Sequence, residues 1–476
     1  MDRELMSDQP AESDERLRDS KHSSQLLHGP LGWQIFWLAL PVLAEQFLNY
    51  TVGLTDVRLS GFISKEATSA VGVGAYVNWL VEILFAVVGT GTSALVARHW
   101  GAGERDEASR IARSSLSVAM ILGLVSAVLM YVIAPSFTVL LGLNQDLVDI
   151  AIRYLRVCSF GYVFSSVCLI GSAALRGAGM MRVPMFVLGI VSLLNVVFST
   201  SLVFGVPALR VPAIGLDGVA TGTVLARAMG AGLMLMALGW KKSDLHALPS
   251  INALLDVRTM LRVLKIGAPA ATDGVLYWLG HVLFVRLIAG IGSGEQANAA
   301  LAAHTVFVQV EAITYMPAWA WGTAAATLIG QCLGAKLPDR ARQGAHRAAM
   351  QAASWAAVTT LLFLFGSPWI FEQMHNDPLV GQLGAPALQA LCWMEIPLTA
   401  AIIYTISVRG AGDTIAPLFI NTVCVFGVRL TVGYAGIHWW HAGLYGAWLG
   451  MACDVTLRAV VIGCYFRSGR WMKKSV

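Results

Sequence analysis

The stretch "ALRGAGMMRVPM" at residues 174–185 returns as "SVRGAGDTIAPL" at residues 407–418. Arg176 falls on Arg409 and Pro184 on Pro417, an offset of 233 residues. A second pair keeps the same offset. "ALVARHWGAGERDEASR" (94–110) resembles "TLIGQCLGAKLPDRARQ" (327–343), with Gly101 on Gly334. "GLDGVA" (215–220) and "GLYGAW" (443–448) match at 228, as do Pro41 and Pro269. Two unrelated motifs at one offset mark a chain built from two copies of one unit.

The unit is made for a membrane. Of 476 residues 56% are apolar and only 13% charged, and mean hydropathy is +0.65. Soluble domains carry about 25% charged residues. Twelve apolar runs can be drawn, at 33–57, 68–95, 114–135, 150–174, 184–206, 214–239, 266–289, 301–330, 348–368, 384–407, 415–434 and 444–466. Each is near the ~20 residues that a spanning helix needs. With the N-terminus inside, the inner segments hold 24 Lys and Arg and the outer loops 3, namely Arg58, Lys65 and Arg210. Six more arginines fall within spans: Arg153, Arg156, Arg227, Arg286, Arg429 and Arg458. That bias predicts an even number of spans with both termini cytoplasmic.

The repeat offset covers six spans, so the copies run parallel about an axis along the membrane normal. The expected fold is an all-α polytopic membrane protein, with 12 transmembrane helices in two six-helix lobes related by an internal pseudo-two-fold repeat. The expected divisions are a polar cytoplasmic tail (1–30), an N-lobe (31–240), a cytoplasmic inter-lobe loop (241–260), a C-lobe (261–467) and a C-terminal tail (468–476). The tail at 1–30 has no apolar core of a secretory signal peptide. Seven cysteines lie in or beside apolar runs without metal-ligand spacing, and read as small membrane-buried hydrophobes. The net charge of +5 is spread over many loops, a topology signal and not a nucleic-acid patch. Parallel repeats are a transporter architecture, with the substrate site near mid-membrane.

Ionisable side chains within spans face the bundle interior or water. Glu45, Asn49 and Asp56 form one stripe on span 1. Asn78 and Glu82 pair at i, i+4 on span 2. Asp273, Tyr277 and His281 share a face of span 7, and His304, Glu311 and Tyr315 a face of span 8. Glu395 precedes Pro397 on span 10, and Asp454 sits on span 12. Spacing leaves Asp56 either an interfacial partner of Arg58 or a buried site. It leaves Asp273 either a solvated helix end or a coupling group, and His304 either an interior hydrogen-bonding side chain or a site residue. The aromatics Tyr50, Trp79, Tyr315 and Trp319 suit a cavity for flat cations, and interface belts or packing account for them equally well. No phosphate-binding loop, nucleophile elbow or HExxH run occurs. Without a nucleotide site, a transporter of this kind runs on an ion gradient.

The motifs together resemble the multidrug and toxic compound extrusion (MATE) family of the MOP superfamily, in its prokaryotic form. The resemblance covers residues 30–466. It rests on "LALPVLAEQFLNYTVGLTDVRLSGFI", "LVARHWGAGERDEASR" and "ALRGAGMMRVP", with "LAAHTVFVQ", "GTAAATLIGQCLGA" and "SVRGAGDTIAP" in the second half. It implies two lobes open in a V that export organic cations and drugs against inward H+ or Na+. No cofactor is implied, and no metal beyond a transient Na+ at Asp56. It implies that Asp56 is the cation-coupling residue. DinF-type members carry an asparagine and, four residues later, an aspartate on span 5. Here these are Asn195 and Ser199. NorM-type members carry a glutamate where this chain has Tyr277, and their span-10 acid lies about one turn from Glu395. The chain thus has no firm subclass. Glu45, Glu82, Asp273 and Glu311 are the candidates to stand in for the missing acids. The implied partners are small organic cations and the bilayer, for a monomer in a bacterial inner membrane. Two alternatives remain: a flippase or exporter of lipid-linked or other amphipathic metabolites in the same superfamily, and a membrane enzyme or non-transporting scaffold.

Overall fold

The computed structural model describes residues 29–140, 145–240, 245–254 and 256–474. The expected tail at 1–30 therefore lies outside the described residues, except for Gly29 and Pro30. Among the described residues every extended element is helical. The single Val206–Val211 bridge closes the turn between the apolar runs 184–206 and 214–239.

Twelve spans follow in order among the described residues, with one bent pair of helices taken as a single span. The first half comprises span 1 (Leu31–Gly61), span 2 (Lys65–Gly101), span 3 (Arg105–Leu140), span 4 (Gln145–Ser159 and Tyr162–Gly177), span 5 (Arg182–Phe204) and span 6 (Leu216–Gly239). The second half comprises span 7 (Val257–Ala289), span 8 (Glu295–Gly334), span 9 (Pro338–Met374), span 10 (Pro378–Leu391 and Glu395–Gly410), span 11 (Ile415–His438) and span 12 (Gly443–Arg467). Most helices outrun their apolar limits, because a helix does not stop at the membrane surface. Caps set several starts. Ser64 Oγ accepts from Ala67 N at 3.0 Å at span 2, and Asp256 Oδ1 from Thr259 N at 3.1 Å at span 7.

Hydropathy misses three irregularities. Span 4 bends by 49° between its two pieces. Span 10 breaks into a 3-10 turn at Cys392–Met394, where Pro397 can neither donate a helical bond nor tolerate the carbonyl four residues earlier. Span 11 carries a π-helical segment, Val423–Arg429, of a kind that often marks functional sites.

The RGAG repeat is a helix stop. Gly179 (φ 84°) and Gly412 (φ 91°) adopt the left-handed backbone that ends spans 4 and 10. The Met180 N–H then reaches back to Leu175 O at 2.9 Å, and Asp413 N–H to Val408 O at 3.2 Å.

The "WGAGE" and "LGAKL" repeats make the lobe contact. A Cβ on Gly101 would lie 2.0 Å from Gln331 O, and one on Gly334 would lie 1.9 Å from Arg98 O. Arg98 and Gln331 are themselves repeat equivalents, so spans 2 and 8 cross reciprocally, as a two-fold between them requires. Hydrogen bonds between the lobes gather at this end. Gln331 Nε2 donates to Gly177 O at 3.0 Å, and Thr327 Oγ1 to Arg176 O at 3.1 Å. Arg262 at the start of span 7 donates to Glu107 at 2.9 Å and meets His99 Nε2 at 2.8 Å. The lobes are thus pinned at the end rich in Lys and Arg. Toward the opposite end Tyr50, Leu54, Trp79 and Tyr277 stay exposed on spans 1, 2 and 7, which lie along the lobe boundary, and Trp319 is exposed nearer the middle of span 8. Each half packs its own core, around Leu95, Ile111 and Ile170 in the first and Phe284, Phe307 and Trp448 in the second.

Candidate functional site

Two polar clusters form, one per lobe. In the first, span 1 supplies Asp56, span 5 Asn195 and Ser199, and span 6 Thr223, all buried. Gly222 makes the cluster possible. A Cβ there would lie 2.4 Å from Ser199 Oγ, so only glycine lets span 6 press against span 5 and carry Thr223 inward. Asn195 Nδ2 donates to Thr223 Oγ1 at 2.8 Å and lies 3.5 Å from Asp56 Oδ1. Thr223 Oγ1 lies 3.2 and 3.3 Å from the two Asp56 oxygens and 3.0 Å from Val219 O. One hydroxyl proton serves only one of these acceptors. Asn195 Oδ1 is buried with no donor at all. The cluster is therefore rich in oxygen acceptors and short of donors. A proton on Asp56 or a hard cation among these oxygens would supply what is missing.

Arg227, one turn beyond Thr223, donates to Ser165 Oγ at 3.0 Å and places its charge within reach of both Asp56 and Glu82. Glu82 is exposed on span 2, close to Trp79, whose ring meets Trp278 of span 7 at 5.8 Å. Asn49 and Tyr50 are exposed, and their side chains make no hydrogen bond among the described residues.

Glu45 does not join Asp56. Arg176 of the RGAG motif holds it at 2.6 Å. The second lobe repeats the arrangement, with Arg409 paired to Asp273 and Asn421 Nδ2 donating to the same carboxylate at 2.7 Å. Glu45 and Asp273 each lie four residues after the equivalent prolines Pro41 and Pro269, so the two buried ion pairs are symmetry mates.

The second cluster centres on Asp454 (fully buried), gripped by Arg429 at 2.7 Å and by Arg458 one turn away. The π segment of span 11 delivers Arg429. Both guanidiniums lie near the Tyr277 ring, 5.4 and 5.5 Å from its centroid. Glu311 lies within the field of both arginines and beside Glu395. Glu395 is fully buried, and neither carboxylate oxygen has a hydrogen-bond partner. Thr314 stands near it but donates to Thr359 at 2.9 Å. His304 sits apart, both ring nitrogens unpartnered, among His281, Phe284, Phe307 and Trp448 at centroid distances of 5.7 to 6.4 Å. Tyr315 is half-buried and Trp319 is exposed. Among the described residues no group of three or more His, Cys, Asp or Glu could hold a metal ion, and all seven cysteines are free.

The spacing of acids missed Thr223, Arg227, Arg429 and Arg458. The three arginines were visible as the charges that the loop count leaves inside spans.

The MatE family profile matches residues 41–200 and 269–435, the two repeat units. The chain belongs to the MatE family. As a member it is a multi-pass membrane transporter rather than an enzyme. It is 26% identical over 449 residues to the "Probable multidrug resistance protein NorM" of Thermotoga maritima, covering 93% of this chain and 94% of that one. It is 25% identical over 443 residues to the "Multidrug resistance protein PmpM" of Pseudomonas aeruginosa, covering 90% of each. Among solved structures it is similar to one described as "Outward-facing conformation of a multidrug resistance MATE family transporter of the MOP superfamily", with a TM-score of 0.85, 20% identity, and 95% and 98% of the two chains covered. That likeness carries the fold, including the 6+6 arrangement of the MatE lobes.

Proposed function

We propose that this MatE transporter exports organic cations and drugs from a bacterial inner membrane by antiport with H+ or Na+, with both termini cytoplasmic and the monomer as the working unit. One observation carries the reading. Asp56 is buried on span 1 among Asn195, Ser199 and Thr223, in a cluster with an acceptor oxygen left over. An ion arriving there satisfies that oxygen and neutralises the carboxylate. The same event weakens the hold of the N-lobe on a cationic cargo, so loading and release are coupled. The cargo sits against Tyr50, Trp79, Tyr315 and Trp319, with Glu82 as the exposed acid, where aromatic faces and a carboxylate suit a flat cation. The pinned basic end is the cytoplasmic one, so the cleft opens outward. Alternating access exchanges this arrangement for its opposite.

Purified protein in vesicles loaded with an ethidium-like cation, under an H+ or Na+ gradient imposed separately, tests the proposal. Flux driven by one gradient and abolished by its collapse supports it. Flux indifferent to both gradients refutes antiport. Arg227, Arg429 and Arg458 favour one second reading, an amphiphile with an anionic group as cargo. Vesicle transport of an anionic amphiphile with no cation flux would select it.

A further inference from the structure

A groove of about 760 Å³ lies on the second lobe, away from the central cleft. Spans 9, 10 and 12 form it at the pinned, basic end. Its rim holds Arg342, His346, Tyr404 and Arg467, and its floor includes Ala353 and Ala400. The heights are ordered. Arg342 is in the first turns of span 9 and Arg467 is the last residue of span 12. Ala353 lies seven residues further along span 9 than His346, about 10 Å deeper at 1.5 Å per residue. Charge thus sits at the surface level and small apolar side chains lead down from it. Below them span 9 presents Trp355, Val358, Leu361 and Phe365 outward, a face that only hydrocarbon suits.

The charge at the rim is uncompensated. Arg342 and Arg467 are exposed, and neither has an ion pair among the described residues, although both act on His346. A rigid aromatic block holds the site. Phe466 stacks on Trp471 at 4.6 Å and meets Tyr404 at 5.0 Å and His346 at 5.4 Å. His346 Nδ1 is 2.9 Å from Tyr404 Oη. When the Tyr404 hydroxyl donates to Nδ1, the ring proton sits on Nε2, where it is free to donate to an anion.

We infer that this groove binds an anionic phospholipid, its phosphodiester between Arg342, His346 and Arg467 and an acyl chain along Ala353 and Ala400. The chemistry is two fixed cations and a neutral donor for one phosphate, above a trough for a chain, at the depth where headgroups lie.

Delipidated full-length protein, titrated with phosphatidylglycerol or phosphatidylcholine and read by native mass spectrometry, tests this. Two guanidiniums near a membrane surface predict about a thirty-fold preference for phosphatidylglycerol. Arg342→Gln with Arg467→Gln should abolish the preference. Ala353→Phe, which keeps the charges and fills the trough, should weaken retention of the lipid itself. Equal retention of the two lipids by the unaltered protein overturns the inference. So does an undiminished preference in the double arginine variant, undiminished retention by Ala353→Phe, or full displacement of the lipid by excess inorganic phosphate. If the double arginine variant fails to fold, Ala353→Phe decides alone.

Discussion

Arg176→Met offers a quantitative test of the reciprocal ion pairs. Glu45 Oε1 lies 2.6 Å from the Arg176 guanidinium, with side-chain exposures of 8% and 18%. Charge centres about 4 Å apart attract by roughly 4 kcal/mol at an effective dielectric of 20. Removing one partner of a buried pair costs about 3–5 kcal/mol, because the other charge stays buried and unpaired. Water reaches part of the guanidinium, so the lower end of that range, about 3 kcal/mol, is expected for Arg176→Met. Replacing both residues, as Glu45→Leu with Arg176→Met, removes the charge as well as its partner. That double variant should recover most of the loss, giving a coupling energy of about 2 kcal/mol or more. Equilibrium unfolding in mixed micelles, titrated with dodecyl sulphate, reads all four corners of the cycle. Arg409→Met should behave alike, since Asp273 is just as buried. A loss below about 1 kcal/mol at Arg176, or a double variant as unstable as the single, would refute the argument.

Three further outcomes follow from the same geometry. Thr223→Val removes a hydroxyl from Asp56. Hydrogen bonds to charged groups are worth about 1.5–3 kcal/mol, so the driving-ion concentration for half-maximal efflux should shift ten-fold or more, and an unchanged value would place Thr223 outside the ion site. Gly334→Leu forces a side chain into Arg98 O and should part the lobes at their pinned end; labelling of the buried Cys332 by a soluble thiol reagent should rise, while labelling of the exposed Cys464 stays constant. At the start of span 7, outside the membrane segment, the Thr259 side chain and backbone hydrogen bonds hold the Asp256 carboxyl below the usual carboxylate range. The contribution of a depressed acid is complete above its unfolded value of about 4 and fades as pH falls from there through the lower folded value. Asp256→Ala should therefore destabilise the protein at neutral pH by about 1 kcal/mol and lose its effect in acid; a loss that is the same at pH 7 and pH 2 would contradict the capping role.

The large architecture was legible because hydrophobic runs and a duplicated motif are both one-dimensional signals. All twelve expected spans coincide with helices; the offset of 233 maps onto the symmetric contacts at Gly101 and Gly334, and that of 228 onto the paired carboxylates Glu45 and Asp273. Stripes of acids were less informative. Glu45 and Asp56 share a face of span 1, yet they are eleven residues and about 16 Å apart along the helix. A stripe tells which way a side chain points, not what it meets. The partner of Glu45 came from the RGAG motif, which opens on a half-buried arginine. Arg429 and Arg458 stood out as cations within spans but received no role, because the topology rule counts loop cations and sets the rest aside. The carboxylate facing these arginines comes from Asp454 on span 12. The breaks in spans 4 and 11 leave no trace in hydropathy, since neither interrupts the apolar run.

The central claim is that Asp56 couples ion entry to export. The direct measurement is gradient-driven efflux of an organic cation from vesicles holding Asp56→Asn, beside Glu45→Gln and the unaltered protein at matched reconstitution. The account predicts that Asp56→Asn binds the cation and folds normally but loses gradient-driven flux, while Glu45→Gln keeps the ion dependence even if its stability falls. Full coupled efflux from Asp56→Asn would contradict it.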